Sequence, residues 1–156
     1  MAINFYSESI HFTLRKKSII KKWITTAVKK ETQRIGEINY VFCDDKFLLS
    51  LNKKYLRHNT LTDIITFDFN FSERNPHLLK PKTKIQKLLS AEIYISIPRV
   101  KENAIKFNIT FEKELSRVMI HGILHLLGYK DKSDKEKKIM RAKEDELLSW
   151  LYAEAI

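Results

Sequence analysis

Glycine, proline and cysteine are all scarce in this chain. Three glycines and three prolines in 156 residues leave little material for a long flexible linker or for a hinge between two domains. The single Cys43 has no partner for an internal disulfide or a thiolate metal site, which fits a reducing compartment and a buried strand position. No run of eighteen apolar residues occurs, and Met1 to Glu8 lacks the basic and apolar regions of a secretion signal. A cytoplasmic location without membrane attachment is the resulting expectation. Acidic residues are outnumbered too: 19 Asp and Glu stand against 29 Lys and Arg, a net charge of +10. That excess points to a polyanionic partner.

What is present suffices for one well-filled core, since 44% of residues are hydrophobic and 11% aromatic. Residues 1–156 are therefore expected to form a single domain. The basic residues gather in three runs, Arg15 to Arg34, Arg74 to Lys87 and Lys130 to Lys143. No strongly apolar face is paired with an exposed cationic one, so nucleic acid is favoured over an anionic membrane surface.

Hydrophobic periodicity orders the chain. Ile3 to Ser7 reads as a strand, and Leu14 to Arg34 as a helix with Ile19, Ile20, Trp23, Ile24, Ala27 and Val28 on one side, ended by Gly36. Glu37 to Cys43 alternates as a strand; Asp44 or Asp45 then caps a helix reaching about Tyr55. Asp63 to Phe69 is a second strand candidate, and Asn70 to Leu89, with Pro76 and Pro81, reads as a long exposed loop. Ala91 to Ile97 has the cleanest two-residue period. Pro98 opens a helix to about Phe107, Thr110 caps the next, and Ser133-Asp-Lys-Glu136 is a capping box before a closing helix from Ile139 to Tyr152. Strands alternating with helices, then helices alone, predict an α+β fold: a small mixed sheet packed against a central helix and several further helices.

That central helix carries His121-Gly-Ile-Leu-His125-Leu-Leu-Gly128-Tyr-Lys-Asp131. Histidines four apart lie one helical turn apart on one face, able to reach a common metal ion. Gly128 suits the left-handed residue just past a helix end, so the chain can turn and bring Asp131 back as a third ligand, leaving a fourth position open. Asp134 is a weaker substitute. The residue after His121 is Gly122, where a helical His-Glu-x-x-His peptidase places its general base. No general base is evident near His121 in the sequence.

On three of its segments the chain resembles the YbeY family of bacterial rRNA maturation factors, described as single-strand-specific endoribonucleases. The segments are His121 to Tyr129, against the family's His-Gly-x-Leu-His-Leu-x-Gly-Tyr; Leu51-Asn52-Lys-Lys-Tyr55, against Leu-Asn-x-x-Tyr; and Thr62-Asp63-Ile-Ile-Thr-Phe67, against Thr-Asp-Val-Leu-Ser-Phe. The resemblance implies one zinc ion per chain held by His121, His125 and a third residue. It also implies processing of the 16S rRNA 3′ end, ribosome quality control, and contact with the small ribosomal subunit and its assembly factors. Three positions depart from the family pattern. Asp131 stands where a third histidine is usual, replacing a neutral ligand with an anion and making the ion's water less acidic. Leu56 takes the place of an arginine, with Arg57 one position later as the candidate catalytic residue that stabilises charge on the phosphate. Ala91-Glu92-Ile93 replaces Gly-Asp-Ile. Two other readings stay open at this level: an RNA-binding ribosome-assembly factor with a structural metal, and a zincin-like metalloprotease.

Overall fold

The computed structural model describes residues 2–58, 60–69 and 88–154. Its elements run β1 Ala2–Ser7, α1 Lys17–Lys30, β2 Arg34–Cys43, α2 Asp45–Leu51, β3 Ile64–Asp68, β4 Leu88–Ser96, α3 Ile97–Phe107, α4 Phe111–Leu126 and α5 Asp134–Glu154. A π-helical turn, Asn52–Leu56, extends α2. The order of strands and helices is the one the periodicity predicts, and the fold is α+β.

The sheet runs β1-β2-β4-β3, parallel across its first two pairs and antiparallel between β4 and β3. Period-two alternation decides its faces. Ile38, Tyr40 and Phe42 on β2 pair with Ala91, Ile93 and Ile95 on β4, and all six are buried. Over that face lies α4, whose Leu115, Val118, Met119, Ile120, Ile123 and Leu124 are buried. Tyr40 Oη, taken out of water, donates to the Met119 carbonyl at 3.0 Å, which satisfies its hydroxyl where sheet and helix meet. Burying an aliphatic side chain contributes roughly 1.5–3 kcal/mol, so the metal-motif helix is among the most firmly seated elements. Trp23 of α1 donates its indole N–H to Leu147 of α5 at 2.7 Å, tying the flanking helices together.

Capping residues act as their chemistry suggests. Asp44, not Asp45, accepts from the Phe47 N–H at 2.8 Å; Asp45 instead takes Ser96 Oγ at 2.7 Å and pairs with Arg99 at 2.9 Å. Thr110 caps α4 by accepting from Lys113 N–H at 3.2 Å. Ser133 and Glu136 exchange reciprocal bonds of 2.9 and 3.1 Å, a capping box opening α5.

Four expectations need correction. Helix α1 stops at Lys30, not near Arg34, because Thr32 enters the left-handed region (φ 57°) and turns the chain. Gly36 is therefore no helix terminator. It lies in β2, where the register slips between Ile35 and Ile38, and a Cβ there would stand 2.3 Å from Ser90 Oγ. The expected helix to Tyr55 changes character after Leu51: the buried Asn52 donates its side-chain N–H to the Thr60 carbonyl at 2.8 Å, and the backbone widens into the π-helical turn. The long loop expected over Asn70 to Leu89 ends early at its C-terminal side, where Leu88 and Leu89 already pair in β4; 70–87, with the basic run Arg74 to Lys87, lies outside the described residues. Cys43 is buried, and desolvation, with Asp44, Asp45 and Glu8 nearby, pushes its thiol up to about 12. It is an inert strand residue.

Candidate metal centre

His121 and His125 project from the last turns of α4 because that helix buries its other sides. Gly122, between them, faces the sheet: a Cβ there would meet Ile64 Cδ1 at 3.0 Å and Ile93 Cδ1 at 3.3 Å. The absence of a carboxylate at 122 thus coincides with a close helix-to-sheet approach. After Leu127, Gly128 adopts φ 105°, and the chain doubles back so that Asp131 returns to the histidines.

The resulting geometry is compact. His121 Nε2 and His125 Nε2 lie 2.9 Å apart, and each is 3.2 Å from Asp131 Oδ2. A tetrahedral zinc with bonds of about 2.0–2.2 Å requires donor atoms roughly 3.3–3.6 Å apart, so a few tenths of an ångström of expansion would admit one. Two imidazole nitrogens and a carboxylate oxygen within 4.8 Å of one another form a group that could hold a metal ion. All three side chains are partly exposed, so the cluster opens to solvent on one side.

Behind it stands a residue that the sequence reading missed. Glu144 of α5 is 4% exposed, and its Oε2 accepts from His121 Nδ1–H at 2.6 Å. That bond fixes the tautomer and turns the Nε2 lone pair toward Asp131 and His125, the arrangement in which a carboxylate orients a histidine ligand. Arg117 compensates the buried charge, donating to Glu144 at 2.9 Å and to Asp145 at 2.7 Å. Burial works against a charged His121, but the Glu144 hydrogen bond and charge, helped by Asp131 and Asp63, outweigh it and raise the imidazole pKa. Glu144 follows Met140 by four residues and precedes Leu147, Leu148 and Leu151, all buried. A carboxylate inside an apolar helical stripe was the available signal.

The cluster sits in a cleft of about 480 Å³, walled opposite by Thr62, Asp63, Thr66 and Asp68 from β3 and its approach. Leu56 reaches the wall; Arg57, next in the chain, is not among the lining residues. It is exposed, in the left-handed region at φ 56°, where the π-helical turn ends. Its backbone is thus irregular and one residue from the cleft. Asp134 begins α5 and is not part of the ligand cluster. Exposed Lys130, Lys132, Lys135, Lys137 and Lys138 flank Asp131. Among the described residues, no helix is long and apolar enough to cross a membrane.

Comparison with known proteins follows the same lines. The family model described as Endoribonuclease YbeY matches residues 2–152. A Flavobacterium psychrophilum protein named Endoribonuclease YbeY is 45% identical over 143 residues, covering 92% of each chain. One of the same name from Flavobacterium johnsoniae is 42% identical over 152 residues, 97% of this chain and 99% of that one. The solution structure of TM1509 from Thermotoga maritima superposes with a TM-score of 0.61 at 28% identity, covering 98% of this chain and 91% of that one.

Proposed function

The chain belongs to the endoribonuclease YbeY family, and on that premise we propose that it cleaves single-stranded RNA in the cytoplasm, with the 16S rRNA 3′ end as its target and the small ribosomal subunit and its assembly factors as partners. Residues 1–156 act as one endoribonuclease domain, and the cofactor is a single zinc ion. His121, His125 and Asp131 are its ligands, and Arg57 is the catalytic arginine. The observation that carries the reading is the convergence of His121 Nε2, His125 Nε2 and Asp131 Oδ2 at 2.9–3.2 Å in a cleft, with exposed lysines flanking Asp131 in the chain.

A zinc ion there would supply Lewis acidity, polarising a phosphate oxygen and easing loss of a proton from water. The chain's own groups do the rest. Glu144 holds His121 in the ligating tautomer, and Asp131 brings an anionic ligand that tempers the ion's charge. Arg57, on an irregular backbone beside Leu56, is free to swing toward the scissile phosphate and offset charge developing on its oxygens. Lys130 to Lys138 hold the phosphate backbone of the strand entering the cleft. Neither a ribosome-binding factor with a purely structural metal nor a peptidase is favoured beside relatives named as endoribonucleases.

The test is cleavage of a single-stranded RNA by a His121→Ala, His125→Ala double variant, with metal content measured on the same preparation. Loss of both supports the assignment. Undiminished metal-dependent cleavage would refute it.

A further inference from the structure

We propose that Asp63 is the proton acceptor of the cleavage step, the general base missing from the motif helix. The proposal rests on the cleavage reading above and adds the residue that moves the proton. Asp63 immediately precedes β3 and lines the same cleft as His121, His125 and Asp131. Its position is fixed from the sheet: its carbonyl accepts from Ser96 N–H at 3.0 Å, and the neighbouring Thr62 Oγ1 donates to the Ile64 carbonyl at 3.2 Å. Its carboxylate is not a member of the ligand cluster. Among the described residues it has no side-chain hydrogen-bond partner, only its own backbone N–H, so its basic oxygens are not committed elsewhere.

The other carboxylates nearby are less suited. Glu144 is held by His121 and Arg117. Glu114 is buried in the interior and does not line the cleft. Asp68 lines the cleft as well, at the other end of β3, five residues and roughly 17 Å from Asp63 by strand rise. Asp63 both lines the cleft and interacts electrostatically with His121. Burial raises its pKa against the lowering effects of its own N–H, His121 and Arg99, which strengthens it as a base.

The step balances as a hydrolysis. A water oxygen bonds to phosphorus as the bond from phosphorus to the leaving ribose oxygen breaks. Asp63 takes the water's proton and returns it to that leaving oxygen, so the carboxylate is regenerated.

The experiment compares wild type, Asp63→Asn and Asp63→Ala with the His121→Ala, His125→Ala double variant. It reads single-turnover cleavage of a fluorescent single-stranded RNA, affinity for that RNA, bound metal and circular dichroism. Asp63→Asn is expected to slow cleavage by about 10²- to 10⁴-fold while keeping wild-type metal content and RNA affinity. Formate is expected to restore cleavage to Asp63→Ala at least partly by replacing the lost base, which keeps the proposal testable should the asparagine variant fail to fold. A wild-type rate in Asp63→Asn, loss of metal with the activity, or a folded Asp63→Ala insensitive to formate would each overturn it. Should the double histidine variant still cleave, the metal-site reading fails; should it be inactive while Asp63→Asn is not, only the role of Asp63 fails.

Discussion

His121 and His125 reach the candidate metal centre from a regular helix pressed onto the sheet, whereas Asp131 reaches it from a glycine turn and Arg57, one residue past the cleft-lining Leu56, is itself a left-handed residue. The two histidines are placed by the core: Met119, Ile120, Ile123 and Leu124 around them are fully buried, and Glu144 clamps one ring. The other pair depends on single backbone conformations with little packed against them. Gly128 shows the contrast with Gly122 most directly. A Cβ at 122 would press on Ile64 and Ile93, while one at 128 would meet nothing within 4 Å, so only its φ of 105° demands glycine. One half of the site is fixed by packing and the other by local conformation.

Perturbing each half should therefore give different signatures. The largest effect is expected on the packed half: His121→Ala or His125→Ala should lower RNA cleavage at least 100-fold and lose the metal, read by elemental analysis beside a cleavage assay. Glu144→Gln comes next, since it keeps an acceptor for His121 Nδ1–H but removes the charge. Metal affinity, measured by chelator competition, should fall about 10- to 100-fold with cleavage recoverable at saturating metal. On the conformational half, Gly128→Ala should cost about 1–2 kcal/mol in denaturant titration, because its φ is strained for any residue with a Cβ. It should also weaken metal binding through Asp131 while leaving the His121–Glu144 bond intact.

The smallest effect concerns Glu114, seven residues before His121 on α4, whose Oε2 is buried without a partner among the described residues. Burial first, then the charge of Asp63, raises its pKa above the usual 4.5, against Arg117 and Arg141. A group raised in the folded state contributes its full stability below the unfolded pKa and loses it as pH rises through the folded one. Wild type should therefore lose stability relative to Glu114→Gln as pH climbs from below 4.5 toward neutrality, seen as a rise in the Tm of Glu114→Gln minus that of wild type. A fall in that signed difference over the range would contradict the assigned direction.

Most of the packed half was legible in sequence, and so was the glycine turn at Gly128 that returns Asp131 to the histidines. The alternation of Ala91 to Ile97, the caps at Thr110 and Ser133, and the His121–His125 spacing are local patterns, and local patterns survive folding when a core is built on them. Gly36 misled because glycine signals a permissive backbone without saying whether a helix end or a strand irregularity uses it. The π-helical turn at Asn52 was hidden because it depends on a hydrogen bond to Thr60, eight residues away. Glu144 stayed hidden since its partner lies 23 residues distant and meets it only when α5 packs on α4. Asp63 approaches the cluster from across the fold and carries no local sign of it. The parallel pairing of β2 with β4 likewise joins segments some 53 residues apart, as Asn39 with Glu92 shows.

The measurement that bears most directly on the whole is a zinc titration of metal-stripped protein, followed by cleavage of single-stranded RNA. Cleavage is expected to rise in proportion to added zinc and level off at one equivalent per chain in wild type, and to stay near background in Asp131→Ala at the same zinc. Full cleavage by the metal-stripped protein, or an Asp131→Ala curve superimposed on wild type, would contradict the assignment of His121, His125 and Asp131 as the catalytic metal centre.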